Sequence, residues 1–355
     1  MKVVHVHRIR GIGGSERHLL TLLPALAERG VDVSFLGLDD PAGVLEPFYG
    51  ELSVPYERLS SPRDLDPALA VRLPRLLRSL RADVVHTHLV HADVYGAVAP
   101  GAELVSTKHN PDPFRAGSFR HVERLLARRA TRVIAISEAV RRFSVEQVGL
   151  PAARVEVVHY GLDGLPGAWG ENPPLAIGRP VLLAVCRLAP QKGLDTAVRA
   201  LASIPDARLL VLGEGPDREA LTALAASLGV ADRLLLPGRV GDVASLYRRA
   251  DVVVHPARWE GFGLAMLEAM LAAKPVVAAR TGSAPELVAD GDTGLLVPVD
   301  DPHALAEAVT SLLDDRSRAE RMGEAGLRRA RTEFSVARMA DRTIAVYERV
   351  LSARS

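Results

Sequence analysis

At 355 residues and a net charge of +1, the chain exceeds the usual single domain and has no charge excess to argue for nucleic acid as a partner. With 48% apolar and 25% charged residues, it reads as a soluble globular protein whose two halves could each bury a core. The single Cys186 excludes an internal disulfide and suits a reducing compartment, where its expected role is a small buried apolar side chain.

The opening MKVVHVHRIRGIGG lacks the long apolar core of a secretion signal, and no other stretch reaches membrane-spanning length. A cytoplasmic protein is expected, one that could still touch a membrane surface. Short apolar runs then alternate with amphipathic ones. Strands are expected at Lys2–His7, Asp32–Leu38, Val84–His88, Leu104–Lys108, Arg132–Ile136 and Val155–Val158. Between the first two, Glu16–Arg29 reads as a helix with Leu19, Leu20, Leu23 and Leu26 on one face. Strands that are apolar throughout and alternate with helices argue for a parallel sheet covered on both sides. Residues Gly161–Pro180 are rich in Gly and Pro without periodicity and form the expected linker. The alternation restarts with strands at Val181–Val185, Arg208–Leu212, Arg233–Leu236, Val252–His255 and Pro275–Ala278, and helices at Asp217–Leu228 and Phe262–Ala273. From about Pro302 the tail reads as successive amphipathic helices, the last starting near Ser335. These runs predict a domain at 1–165 joined by the last helix (about 335–355), and a second at 178–334.

Three segments carry candidate chemistry. Gly11-Ile12-Gly13-Gly14-Ser15-Glu16 follows the first strand and opens the first helix, where glycines allow close backbone approach and free N–H groups favour an anion. Glu16 stands where a dinucleotide fingerprint wants glycine, and a turn that merely caps the helix is the alternative. Arg187 and Lys192, in CRLAPQKG after the strand ending at Val185, put two cations on a loop at the carboxyl edge of a parallel sheet, which suits a diphosphate. The third segment runs His255-Pro256-Ala257-Arg258-Trp259-Glu260-Gly261-Phe262-Gly263-Leu264-Ala265-Met266-Leu267-Glu268. Glu268 lies inside an otherwise apolar helix, where a carboxylate is costly without partners. A ribose diol could supply them, and so could a core arginine.

His86, His88, His91 and His109 all fall at or after strand ends. A metallo-hydrolase H-x-H-x-D-H would need Asp at position 90, which is Val90, and no cysteine or carboxylate set completes a zinc site. No metal and no other cofactor is expected. His86 and His91 read as structural, His88 as undecided, and His109 as a polar group aimed into a cleft. Between Arg115 and Arg142, arginines outnumber carboxylates, so this basic stretch could contact anionic lipid or simply be solvated.

The order and spacing of the Gly13-Gly14 loop, His109, Arg187 with Lys192-Gly193, Glu260 with Glu268, and Asp290–Val297 resemble the retaining glycosyltransferases of family 4. The resemblance spans the chain. It implies the GT-B fold, two Rossmann-like doubly wound parallel-sheet domains facing across a cleft, with a C-terminal helix crossing back. It implies a nucleotide-diphosphate sugar as donor, UDP- or GDP-linked, and an acceptor hydroxyl on a glycan, a lipid-linked compound or a small molecule. Arg187 and Lys192 would neutralise the pyrophosphate and Glu268 would hold the ribose. Backbone near Arg239 and Val240 would meet the base. Glu260 with Gly261, Phe262, Gly263 and Leu264 would hold the donor sugar. Gly13 and Gly14 would close on the phosphates, and His109 would line the reacting centre. Cys186 stands where the family often has glycine. Other enzymes of this architecture, epimerases and phosphorylases, and a non-catalytic sugar-nucleotide sensor are the alternatives.

Overall fold

A computed structural model describes residues 1–353 apart from 41, 44, 62, 64, 65, 98–100, 118, 169–171 and 173–176. Part of the expected Gly161–Pro180 linker therefore lies outside the described residues. The chain divides into two compact units, one of Met1–Gly161 with Val336–Ser355, the other of Leu162–Ser335.

The first unit holds a seven-stranded sheet ordered β3-β2-β1-β4-β5-β6-β7. Its strands are β1 (Lys2–Ile9), β2 (Asp32–Asp39), β3 (Tyr56–Ser60), β4 (Val84–His88), β5 (Glu103–Lys108), β6 (Arg132–Ala135) and β7 (Val155–Val157). Every pairing is parallel. The strand β3 has no counterpart among the expected elements. It is a largely exposed edge strand, YERLS, and so carries none of the apolar continuity that marks its neighbours. On the helix Gly14–Glu28 the buried face is Leu19, Leu22, Leu23 and Leu26, with Leu22 in the place expected for Leu20. The last helix, Val336–Ser352, presents Met339, Ala340, Val346, Tyr347 and Val350 at helical spacing to the same core. The chain's end is thus part of the first unit.

The second unit holds a six-stranded parallel sheet ordered β10-β9-β8-β11-β12-β13. These are β8 (Val181–Val185), β9 (Arg208–Leu212), β10 (Leu234–Gly238), β11 (Val252–His255), β12 (Val276–Ala279) and β13 (Gly294–Val297). The strand β13 also went unanticipated: it opens on Gly294 and follows Asp290-Gly291-Asp292-Thr293, a stretch with the composition of a loop. Its core joins Leu182, Ala184, Leu209, Val211, Val252, Val254 and Val277 with helix residues Leu194, Val198, Leu201, Leu305, Val309 and Leu312. Among the described residues, no helix is long and apolar enough to cross a membrane.

Candidate active site

In the second unit the loop after β8 lies against the loop after β11. Gly193 sits at a positive φ of 59°, and a Cβ there would run into the Pro256 carbonyl oxygen. Gly213 and Gly215, after β9, approach the Cys186 and Leu188 carbonyls as closely. Backbone and side-chain bonds stitch the first two loops together, Arg258 N–H to the Gln191 carbonyl at 2.8 Å and Gln191 Nε2 to the Trp259 carbonyl at 3.0 Å. This packing brings Lys192 Nζ to Glu260 Oε2 at 2.6 Å, with His255 Nε2 3.0 Å from the same oxygen. Glu260 Oε1 accepts from the Gly261 amide at 3.0 Å. Burial alone would raise the Glu260 carboxyl, but the Lys192 charge and the His255 hydrogen bond outweigh it and hold it well below the ordinary range. Glu260 is therefore a fixed anion.

Arg187 is exposed and makes only a 3.5 Å contact with Gln191 among the described residues, so its guanidinium can turn to a ligand. Arg187, Lys192 and Glu260 all act electrostatically on the Cys186 thiol. Cys186 is partly buried and packs against the second unit's core. Desolvation pushes its thiol up to about 12, so it is no nucleophile. Past Glu260, Gly263 takes φ 82° and caps the helix Leu264–Leu271, while Phe262 is buried and bonded through its carbonyl to Ser283 Oγ at 2.6 Å. Glu268 is 1% exposed on that helix, and its Oε2 accepts from Tyr247 O–H at 2.8 Å. Among the described residues its hydrogen-bond donor is this tyrosine. Arg239 and Val240 follow β10, two strands away from β8, and no contact joins them to the Lys192–Glu260 pair among the described residues.

The first unit has its own cavity of about 300 Å³ at the carboxyl edges of β1, β4 and β5, lined in part by Arg8, Glu16, His91, Lys108 and His109. Leu89, at its rim, holds φ 65°, a conformation costly for a branched side chain. Beneath it, Lys108 Nζ meets Asp93 at 2.5 Å and Glu123 at 3.3 Å, and Arg115 meets Glu123 at 2.9 Å. These buried side chains, two cations and two anions, fix the end of β5. Arg115 is thus turned inward, out of the basic stretch expected to face solvent or lipid. The helix Arg120–Arg129 still exposes Val122 and Leu125 among its arginines. At the glycine loop, Glu16 folds back: its Oε2 accepts from the Gly13 amide at 2.9 Å and its Oε1 lies 3.0 Å from His7 Nε2. The capping alternative is what the loop displays. Gly14 begins the helix.

Most of what single-residue reading missed is histidine. Both β1 and β4 carry H-x-H, and the parallel register sets His5 beside His86, His7 beside His88, and His88 beside Thr107 of β5. Alternation then puts all of them on one sheet face. His5, His86 and His88 bring ligand nitrogens within 4.8 Å of one another, a spacing that could hold a metal ion. Each ring is already hydrogen-bonded at both nitrogens, however, and no carboxylate belongs to the set. An ion there would displace those bonds and leave a double charge in a buried site, so the group does not fit one.

Two such parallel-sheet units, each with charged or polar side chains at its carboxyl edges, have the GT-B architecture, which epimerases and phosphorylases share with glycosyltransferases. The structure of the Anabaena protein Alr3699/HepE in complex with UDP and glucose matches at a TM-score of 0.85 and 23% identity, covering 98% of this chain and all of that one, which establishes the fold. The family models "Glycosyltransferase Family 4" and "Glycosyl transferases group 1" match residues 12–163 and 171–329. The alpha-maltose-1-phosphate synthase of Mycolicibacterium smegmatis is 33% identical over 76% of this chain and 79% of its own. The phosphatidyl-myo-inositol mannosyltransferase of the same organism is 30% identical over 96% and 91%. The chain belongs to glycosyltransferase family 4 and is a glycosyltransferase.

Proposed function

We propose that the protein moves a sugar from a nucleoside-diphosphate sugar to an acceptor hydroxyl, with retention of anomeric configuration and without a metal ion. The observation that carries this reading is the charged cluster of exposed Arg187, Lys192 and the Lys192-bound Glu260 at the carboxyl edge of the second sheet. As the bond from anomeric carbon to phosphate breaks, negative charge grows on the departing diphosphate. The fixed Lys192, the Arg187 guanidinium turned to the ligand, and the helix end at Gly263–Leu264 stabilise it, the work a metal ion does elsewhere. Glu260, kept anionic, takes donor-sugar hydroxyls, and Glu268, desolvated beside Tyr247, takes the ribose diol. The nucleobase is assigned to the backbone at Arg239 and Val240. Front-face attack, with the leaving phosphate oxygen taking the acceptor's proton, accounts for retention without a protein nucleophile.

The acceptor belongs in the first unit's cavity beside His109. Gly13 and Gly14 remain candidates for phosphate contact, a role in which phosphate competes with Glu16 for the Gly13 amide. Similar proteins include a GDP-mannose-dependent mannosyltransferase and an alpha-maltose-1-phosphate synthase, and the solved structure of like fold holds UDP, so UDP and GDP donors are both candidates. The exposed Val122 and Leu125 among arginines support peripheral contact with anionic lipid. Co-sedimentation with anionic but not neutral vesicles checks that. The main reading is tested by a thermal-shift panel of nucleoside diphosphates and their sugars. One diphosphate and its sugar should raise the melting temperature by several degrees at saturating ligand. No shift from any member refutes the reading, and nucleotide release equally fast with and without acceptor would favour an epimerase.

A further inference from the structure

A continuous chain of hydrogen bonds crosses the histidine face of the first sheet. His109 Nδ1 meets the Tyr160 hydroxyl. His109 Nε2 is 3.1 Å from His88 Nδ1, and His88 Nε2 is 2.9 Å from His5 Nδ1. His5 Nε2 is 3.2 Å from the Tyr347 hydroxyl, which lies 2.6 Å from His86 Nδ1. His86 Nε2 is 2.6 Å from Thr107 Oγ1. The four imidazoles are each no more than 4% exposed, and Tyr347 and Thr107 are equally enclosed.

Each link holds one proton, and a neutral imidazole has one donor and one acceptor. The chain can therefore run in only two senses, with all four rings carrying the proton on Nδ1 or all four on Nε2. Thr107 decides between them. Its hydroxyl has His86 Nε2 as sole partner among the described residues. If His86 donated to it, the buried threonine proton would be left without an acceptor, which is the costly arrangement. Thr107 therefore donates to His86 Nε2, His86 Nδ1–H donates to Tyr347, Tyr347 O–H donates to His5 Nε2, and the sense continues through His88 to His109.

We propose that Tyr347, on the last helix, is a positioning residue that acts through His5 and His88 to hold His109 as a neutral imidazole protonated on Nδ1, with both nitrogens engaged inside the unit. His109 then lines the acceptor cavity as a fixed dipole and exchanges no proton with the substrate. The catalytic part of this inference rests on the assignment of His109 to that cavity; the tautomer part does not. The chain's last helix thus sets the state of a side chain just past the fifth strand.

The test is two-bond ¹H–¹⁵N correlation spectroscopy on the full chain labelled in histidine. His5, His86, His88 and His109 should all show the Nδ1–H pattern between pH 7 and 8. Tyr347→Phe removes the donor to His5 and leaves the sense of the chain unset, so His109 should become a mixture of tautomers. Thr107→Val, which keeps the threonine's shape, should do the same by removing the proton that starts the chain, and it stands in if Tyr347→Phe fails to fold. In each variant kcat should fall about tenfold with the donor KM unchanged. An Nε2–H pattern at any of the four rings of the wild-type protein overturns the proposal. So does an unaltered His109 signal in both variants. If no transfer is found with any acceptor, the function reading fails, while the tautomer pattern still confirms or contradicts the chain.

Discussion

Lowering the pH from 7.5 to 5.5 should unfold the first unit selectively, because its histidines are held neutral. Desolvation lowers His5 and His18 from 6.5 to about 3, and lowers His86, His88 and His109 well below 6.5, with neighbouring imidazoles adding to the effect at all but His5. In the unfolded chain these five groups take up protons near pH 6.5, and in the folded unit they do not. Their contribution to stability is complete above that value and is lost as the pH falls below it. One pH unit below 6.5, the protons withheld from His5 and His18 alone cost roughly 3 kcal/mol, a large fraction of the stability of a domain, and His86, His88 and His109 act in the same direction. Glu16 and Glu123, whose carboxyls are lowered by His7 and by Arg115 with Lys108 despite burial, act in the same direction only below about pH 4.5. Hydrogen exchange read by mass spectrometry on peptides from β1, β4 and β5 should show protection collapsing at pH 5.5. Urea denaturation gives the same quantity. A change in unfolding free energy below about 1 kcal/mol between pH 7.5 and 5.5 would refute the neutral histidine face.

Three further outcomes concern the second unit. Lys192→Ala should lower turnover on the order of a hundredfold, because it removes a fixed cation from the leaving group; wild-type turnover in a folded variant removes that argument. Glu268→Ala should weaken nucleoside-diphosphate binding about tenfold or more by calorimetry, the scale of a lost hydrogen bond to a charged group, and unchanged affinity counts against the ribose role. Activity should persist in excess EDTA. Complete loss, restored by a divalent ion, would return the leaving group to metal chemistry.

The strands most legible in the sequence are those buried on both faces. VVHVH, VVHTH, VLLAV and RLLVL announce themselves because a covered parallel sheet demands unbroken apolar or β-branched runs. The exposed β3 and the glycine-led β13 lack that signal. At the site, Arg187, Lys192, Glu260 and Glu268 were legible as charges in apolar or glycine-rich contexts, but their partners were not. His255 stood in view five residues before Glu260, and only the return of the loop aligns its Nε2 with that carboxylate. Tyr247 had no local signal, since its tie to Glu268 spans 21 residues. The histidine face was hidden by judging each residue singly. Two H-x-H runs on adjacent in-register strands were the available clue, whereas Tyr347, 261 residues from His86, enters only through tertiary packing.

The central claim is that Arg187 and Lys192 together hold a diphosphate. Calorimetric titration of the nucleoside diphosphate chosen by the thermal panel, and of its monophosphate, into the wild-type protein and the Arg187→Ala/Lys192→Ala variant tests it most directly. The account predicts a strong diphosphate preference in the wild type that falls by on the order of a hundredfold in the variant while monophosphate affinity changes little. Equal preference in the two proteins would contradict it.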